Sequence, residues 1–176
     1  FGTLSMTHEG VREATKKALD VAKASGAMIS FDPNLREPLW KSLDEAKEQV
    51  LYGLQYADIL KISDNEIEFM TGTSDFDEGA DLLMRQYPNI RLLNVTAGAE
   101  GSYSYYKGQK IFVPSFLLGG TVDTTGAGDT FGGCVLNYIL EHDIDHLTNS
   151  ELTEMLQIAN AAAYLVTTKK GAICSM

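Results

Sequence analysis

Cysteine, proline and tryptophan are scarce in this chain: two, four and one among 176 residues. Cys134 and Cys174 stand far apart, with no CxxC pair and no Cys/His cluster, which argues against a disulfide framework or a zinc site and favours a reduced, cytoplasmic protein. Basic residues are also few. Lys and Arg number 14 against 24 Asp and Glu, a formal net charge of -10, so a nucleic-acid partner, which needs a basic footprint, is not expected. No apolar run approaches the roughly 18 to 20 residues of a membrane span, and no stretch resembles a secretory signal. His8, His142 and His146 are scattered and read as solvated. What is present is a 44% hydrophobic composition, enough to bury the core of one domain around a small-molecule site. The chain opens on Phe1, in a stretch "FGTLSM" that reads as a strand running into a loop. It closes on "KKGAICSM" with no capping element, and both ends read as those of a fragment.

Hydrophobic periodicity gives a repeating order. Residues 7 to 25 predict an amphipathic helix capped by Thr7 and ended by Gly26, with Val11, Ala14, Ala18, Val21 and Ala22 on one face. "AMISFD" (27–32) predicts a buried strand ending at Asp32, Pro33 and Asn34. A helix near 41–54 precedes a strand "ADILKIS" (57–63). A further helix near 75–87, opened by Ser74 and Asp75, precedes "IRLLNVT" (90–96). This alternation predicts an α/β protein, a parallel sheet covered by helices. After Thr96 the pattern changes to a hairpin, "SYSYY" and "KIFVP" around "KGQ", then to two long helices at 127–142 and about 150–168. Trp40 and the tyrosines from 103 to 106 read as core and hairpin residues, and Cys134 as packing.

Ligands of such sheets bind beyond the carboxyl ends of the strands. Four strand ends here are polar or glycine-rich: "FDPNLR", "LKISDNE", "NVTAGAEG" and "VDTTGAGD". In the last, Gly126 and Gly128 let backbone approach a ligand, and first-turn amides without helical acceptors favour an anion. The same partial charge favours Asp129 as a carboxylate, where it could accept a proton from an attacking hydroxyl. Asp129 could equally be a helix cap, since Asp is a preferred capping residue. The stretch has neither the Lys-Ser/Thr of a P-loop nor the G-x-G-x-x-G of a dinucleotide fold, so local spacing leaves the ligand open.

"DTTGAGDTF" resembles the carboxyl-terminal signature of the PfkB, or ribokinase-like, family of carbohydrate kinases. "DPNLREPLW", "KISDNEIEFMTG", "VTAGAEGS" and "ANAAAYLVTTKKGA" follow in the family's order along essentially the whole chain, and "DPNLR" followed by "LW" is most similar to the fructokinase and 2-keto-3-deoxygluconate kinase branches. The resemblance implies a three-layer ribokinase-like sandwich with a largely parallel central sheet, represented here by its carboxyl-terminal, nucleotide-binding and catalytic-base portion over residues 1–176. It implies ATP and Mg2+, with K+ as a further candidate, and a sugar as the phosphoryl acceptor. Asp129 would be the general base and the amides of Gly126, Ala127 and Gly128 the anion hole. Glu66 would organise Mg2+ through water. Ser63 stands where the family motif carries Asn, and Lys61 on the same strand end could face nucleotide phosphate. Thr96, Gly98 and Gly101 would approach the nucleotide, with Asn160 beside the adenine. Asp32, Asn34 and Arg36 would face substrate or phosphates. Asp123 and Thr125, with backbone around Gly171 and Ala172, match a monovalent-cation region.

Other readings of these residues stay open: Glu66 as a first-turn helix acid, Asp32-Pro33-Asn34 as a turn, Arg36 paired with Glu37, Lys61 as a solvated charge, and Asn160 as a helix-packing amide. The family's glycine-rich sugar motif and its β-sheet lid do not occur in these residues. The segment alone is therefore expected to turn over poorly, and a homodimer, which the lid often mediates, is an expectation for the intact protein only. Fructose is the expected substrate. 2-Keto-3-deoxygluconate, ribose or a nucleoside are alternatives, as is a non-catalytic nucleotide-binding module.

Overall fold

The computed structural model describes residues 1–175 and, of Cys174, the backbone alone, so expectations for the Cys174 thiol lie outside the described residues. The residues fall into two compact units, Phe1–Val95 and Thr96 onward. In the first, a 3-10 turn (Thr3–Met6) leads to α1 (Glu9–Ala24), β1 (Ser30–Phe31), a second 3-10 turn (Glu37–Leu39) and α2 (Leu43–Leu54). Then follow β2 (Ile59–Ser63), α3 (Asp64–Thr71), α4 (Phe76–Gln86) and β3 (Leu92–Thr96), whose last residue opens the second unit. Strand order is β1-β2-β3, and β1 pairs parallel with β2 through Ser30↔Ile59 and Phe31↔Leu60. Leu54, Ile59, Leu60, Ile62, Ile67, Leu92 and Leu93 are fully buried, each worth about 1.5–3 kcal/mol relative to an exposed position. Two-faced burial of β2 and β3 explains why they read as unbroken apolar runs rather than as alternating strands.

The first unit corrects three expectations. β1 has two residues where "AMISFD" predicts six, because Met28 is half exposed and the pairing with β2 begins only at Ser30. Phe1 continues the pattern outside β1: its ammonium donates to Ser30 O (2.8 Å), its carbonyl accepts from Asp32 N (3.0 Å), and its ring stacks on Phe31 at 4.5 Å. The face of α1 is also reversed. Val11 and Val21 are exposed, and Leu19 is the buried residue. The inward face carries Arg12, which reaches Glu45 (2.6 Å) and Met6 O (2.7 Å), and Thr15, which bonds Ser5. Lys16 and Lys23 lie over the rings of Tyr52 and Tyr56 at 5.2 and 5.0 Å. Cation–π contacts and a half-buried ion pair thus dock α1, a solution that hydrophobic periodicity does not register. Thr7 caps nothing. Its hydroxyl meets Leu4 O and His8 Nδ1, and His8 occupies the cap position. α3 was foreshadowed only by the reading of Glu66 as a helix acid.

In the second unit β4 (Gly101–Tyr106) and β5 (Gln109–Pro114) form an antiparallel hairpin turning at Lys107–Gly108, followed by α5 (Ala127–Glu141) and α6 (Asn149–Thr167). The sheet strands are therefore of both orientations, with β1 and β2 parallel and β4 and β5 antiparallel. Phe131, Val135, Tyr138 and Ile139 of α5 are buried, as are Leu152, Met155, Leu156 and Ala159 of α6, and the two helices pack along these faces. Tyr106 donates to Ile144 O (2.8 Å). His142 is half-buried, stacked on Tyr138 with its Nδ1 at 2.8 Å from Tyr138 O, whereas His8 and His146 are exposed as expected. Among the described residues, no helix is long and apolar enough to cross a membrane.

Gly53 shows how tightly the first unit is packed, because a Cβ there would lie 2.5 Å from Phe31 Cζ. Gly53→Ala is expected to lower stability by about 1–3 kcal/mol through overpacking. Gly10→Ala, whose Cβ would meet nothing within 4 Å, is expected to raise it by up to about 0.5–1 kcal/mol. Urea midpoints of the two variants, moving in opposite directions, check the packing.

Candidate active site

In the first unit, the carboxyl ends of β1 and β2 are joined by side chains. Asp32 follows β1 and accepts from Asn34 N (3.2 Å) and from Lys61 Nζ (3.0 Å to Oδ2, 3.2 Å to Oδ1). Burial pushes the Asp32 carboxyl above its ordinary range, against the pull of the Lys61 ammonium. Asn34 holds a left-handed backbone (φ 47°), which Asn tolerates better than most residues. Beyond it Arg36 is exposed. Its guanidinium donates only to Leu35 O (3.3 Å), so among the described residues it makes no pair with Glu37.

Glu66 is the hinge of this cluster. It is 7% exposed, and its two oxygens accept from two different loops: Oε1 from Leu35 N (2.6 Å), Oε2 from Ser63 N (2.9 Å). Ser63 Oγ accepts from Glu66 N (3.4 Å), completing a capping box at the start of α3. That box is legible as S-x-x-E in "SDNE". The helix-acid reading and the proximity to the Asp32 loop are both satisfied by the same carboxylate. Lys61, expected to face nucleotide phosphate, is half-buried and paired with Asp32, a partnership that strand spacing alone does not reveal.

In the second unit Thr96 ends β3, and Ala97–Gly101 folds into a tight loop in which Ala97 N donates to Gly101 O (2.9 Å) and Glu100 N to Ala97 O (2.9 Å). Gly98 and Gly101 have φ of 51° and 137°. Asn160 is buried, with its amide engaged by Ser102, Val113 and Pro114. Asp123 Oδ1 accepts from Thr125 N (2.9 Å) and Thr125 Oγ1 (2.7 Å), and Oδ2 accepts from Gly171 N (3.0 Å). These bonds, chiefly the Thr125 hydroxyl, hold the Asp123 carboxyl down at about 2. The carbonyls of Gly171 and Ala172 both accept from Ser175.

Gly126 caps α5 in a left-handed conformation (φ 84°), a backbone that a side chain would strain. Ala127 N donates to Thr124 O (3.2 Å), and the first bond of the helix proper runs from Thr130 N to Gly126 O (2.9 Å). Gly126 and Gly128 keep amides with no acceptor among the described residues, so two of the three expected anion-hole donors stand open. Asp129 sits in that first turn, exposed and without a side-chain hydrogen bond among the described residues, so it does not cap its own helix. It borders a cavity of about 530 Å³ lined also by Gly133, Cys134, Tyr138, Glu154 and Ile158. Cys134 is a free, half-buried thiol whose ionisation burial opposes. Among the described residues no three His, Cys, Asp or Glu side chains converge as a metal cage.

Contrary to expectation, "VDTTGAGD" is no strand end: β5 finishes at Pro114, and the stretch is a loop that enters α5 directly. A left-handed glycine, open amides and an aspartate without a hydrogen-bond partner among the described residues make that helix start suited to an anion. Solved structures assign the scaffold: it is a ribokinase-like sandwich. Vibrio cholerae O395 fructokinase in a fructose-, ADP- and calcium-bound form is 31% identical, with a TM-score of 0.88 over 99% of this chain and 56% of that one. A double mutant of the same fructokinase, bound to fructose, ADP and potassium ion, gives 30% and 0.89 over 99% and 55%. Aminoimidazole riboside kinase from Salmonella enterica, complexed with aminoimidazole riboside and an ATP analogue, gives 27% and 0.85 over 99% and 57%. Fructokinase-2 of Solanum habrochaites is 42% identical over 173 residues, 98% of this chain and 52% of its own. The chain thus spans about half the length of such relatives. The family model for pfkB family carbohydrate kinases matches residues 3–176, and the chain belongs to that family.

The Asp123 bonds generate a prediction. Because its carboxyl is depressed, its hold on Thr125 and Gly171 is present above the ordinary aspartate value of about 3.9 and is lost as pH falls through about 2. Thr125→Val removes the leading donor and should move the Asp123 titration, followed by carboxyl carbon NMR, up toward the ordinary value. A midpoint left near 2 in Thr125→Val would contradict the assignment of cause.

Proposed function

We propose that this chain is the nucleotide-handling and proton-accepting portion of a sugar kinase that transfers the γ-phosphoryl group of ATP to a hydroxyl of fructose. The observation that carries the reading is Asp129, a carboxylate with no hydrogen-bond partner among the described residues, in the same helical turn as the open amide of Gly128 and next to that of Gly126. A carboxylate there can take the proton of a sugar hydroxyl as its oxygen bonds to the γ-phosphorus, while the bond to the β–γ bridging oxygen breaks and ADP departs. The amides stabilise charge on the transferring group. Ala127, already bonded to Thr124 O, contributes by holding the turn.

The first unit serves the phosphates and the sugar in this reading. Exposed Arg36 offers a planar set of donors to a phosphate or sugar oxygen. Asp32 and Lys61 form a charge pair that a phosphate could compete for, and Asn34 and Ser63 hold the adjoining backbone. Mg2+ would neutralise phosphate charge here, and because it keeps most of its waters in such sites it would be held largely through them. Glu66 fits a water-mediated role, since each of its oxygens has a lone pair beyond the one taken by an amide. K+ would be held by the ionised Asp123 and neighbouring carbonyls near Gly171, and the potassium-bound form of the V. cholerae fructokinase supports that candidate. Thr96, Gly98 and Gly101 form the nucleotide loop.

Fructose is favoured over a riboside by the fructokinase relatives, at up to 43% identity, against 27% for the riboside kinase. The test is ATP consumption by the intact protein against fructose, 2-keto-3-deoxygluconate, ribose and a nucleoside, together with its Asp129→Asn variant. The variant should lose about 10²–10⁴-fold in kcat, the span of a general base, while its ADP affinity stays within about twofold. Turnover by Asp129→Asn at the unaltered rate would remove the base assignment, and nucleotide binding with no turnover on any sugar would favour a binding module.

A further inference from the structure

Asn160 lies in the middle of α6, 6% exposed, and every polar group of its side chain points into protein. Oδ1 accepts from Ser102 Oγ (2.8 Å), a fully buried hydroxyl in β4. Nδ2 donates to Val113 O (3.0 Å) and Pro114 O (3.3 Å), the last carbonyls of β5. One amide therefore ties a helix to both strands of the hairpin at its open end, where burial makes each bond costly to lose.

That end is where the Ala97–Gly101 loop is seated. Gly101, adjacent to Ser102, packs so closely on β5 that a Cβ would stand 2.2 Å from Val113 O, 2.8 Å from Pro114 Cα and 2.9 Å from Ser115 N. Glu100 O accepts from Ser115 N (3.1 Å), and Gly101 O accepts from Ala97 N (2.9 Å). The carbonyls that Asn160 holds thus belong to the same stretch of β5 that the loop rests on. The loop's other leg continues into the residue that bonds Asn160 Oδ1. Moving the amide would release both supports of the loop together.

We propose that Asn160 is a positioning residue: through Ser102 and the carbonyls of Val113 and Pro114 it fixes the Ala97–Gly101 loop, and so sets nucleotide affinity without touching the nucleotide. The affinity consequence rests on the proposed reading of that loop as a nucleotide-binding segment; the positioning itself does not. Asn160→Asp keeps the acceptor for Ser102 but replaces the donor with a carboxylate facing two carbonyls. Ser102→Ala removes one bond and leaves the other two. Leu156→Val, one helical turn earlier and fully buried, weakens the packing of α6 without altering any of these bonds.

The experiment is amide hydrogen exchange of the full chain at Ala97 and Ser115, whose N–H groups are bonded across the loop, with ADP affinity measured by calorimetry on the same samples. Asn160→Asp should speed exchange at both amides about tenfold and weaken ADP binding by a similar factor, the scale of one buried hydrogen bond. Ser102→Ala should act in the same direction by a smaller factor, and it carries the test if Asn160→Asp fails to fold. Leu156→Val should leave both amides as they were. Unchanged exchange at Ala97 and Ser115 in the Asn160 and Ser102 variants, or equal acceleration by Leu156→Val, would overturn the proposal. Faster exchange with unaltered ADP affinity would refute its nucleotide half. If the unaltered chain does not bind ADP, the nucleotide reading fails, and the exchange data still decide whether Asn160 positions the loop.

Discussion

A backbone that leaves a strand takes its unpaired N–H and C=O groups with it, and where that backbone is buried those groups must find partners. In the first unit Glu66 answers that demand for two loops at once. Its carboxylate is buried at a position where a charge is tolerable only with directed donors, and it obtains them from Leu35 N and Ser63 N. The loop after β1 and the start of α3 are therefore fixed to one another by a single side chain. Asp32 and Lys61 repeat the connection one residue pair away, as a half-buried ion pair whose separation would leave a charge without compensation. The placement of Asn34 and Arg36 follows from these two ties rather than from any regular element of their own.

The second unit solves the same problem with different chemistry. Asp123 gathers the amides of Thr125 and Gly171, and Asn160 gathers a hydroxyl and two carbonyls. An ionised acid suits donors; an amide, with both a donor and an acceptor, suits a junction where a hydroxyl and carbonyls meet. Asn160→Asp is for this reason a harsher change than its size suggests. The choice of residue type at each junction is dictated by which backbone groups the local turn leaves unpaired.

The hairpin at Lys107–Gly108 and the starts of α4 and α5 were legible because each depends on local grammar: a capping Asp75, a Lys-Gly turn, a left-handed Gly126. The loops after β1, β2 and β3 were legible as polar strand ends, whereas the one before α5 follows no strand; the family resemblance assigned the residues of all four. The inward face of α1 was not. Its burial rests on Arg12, Lys16 and Lys23 meeting Glu45, Tyr52 and Tyr56 of another helix region, partners more than thirty positions away, and no periodicity within α1 encodes them. The Asp32–Lys61 pair and the Ser102–Asn160 bond were hidden for the same reason. Each joins residues distant in sequence, and each side chain alone is equally consistent with solvent, substrate or protein.

The partners of these acids also separate structural duty from reactivity. Asp32, Glu66 and Asp123 each have directed donors, and a carboxylate so held gives up freedom to move. Asp129 has only the unpaired amides of its own helical turn nearby and no donor to its oxygens among the described residues. A protein gains no stability from leaving an acid in that condition beyond the modest attraction of a helix start, and it could satisfy those amides better with a Ser or Asp one position before the helix. Instead Gly126 occupies that cap and leaves the amides open. The turn is arranged so that both its donors and its carboxylate remain available to something other than the protein, which is the condition that proton removal and phosphoryl transfer at one place require.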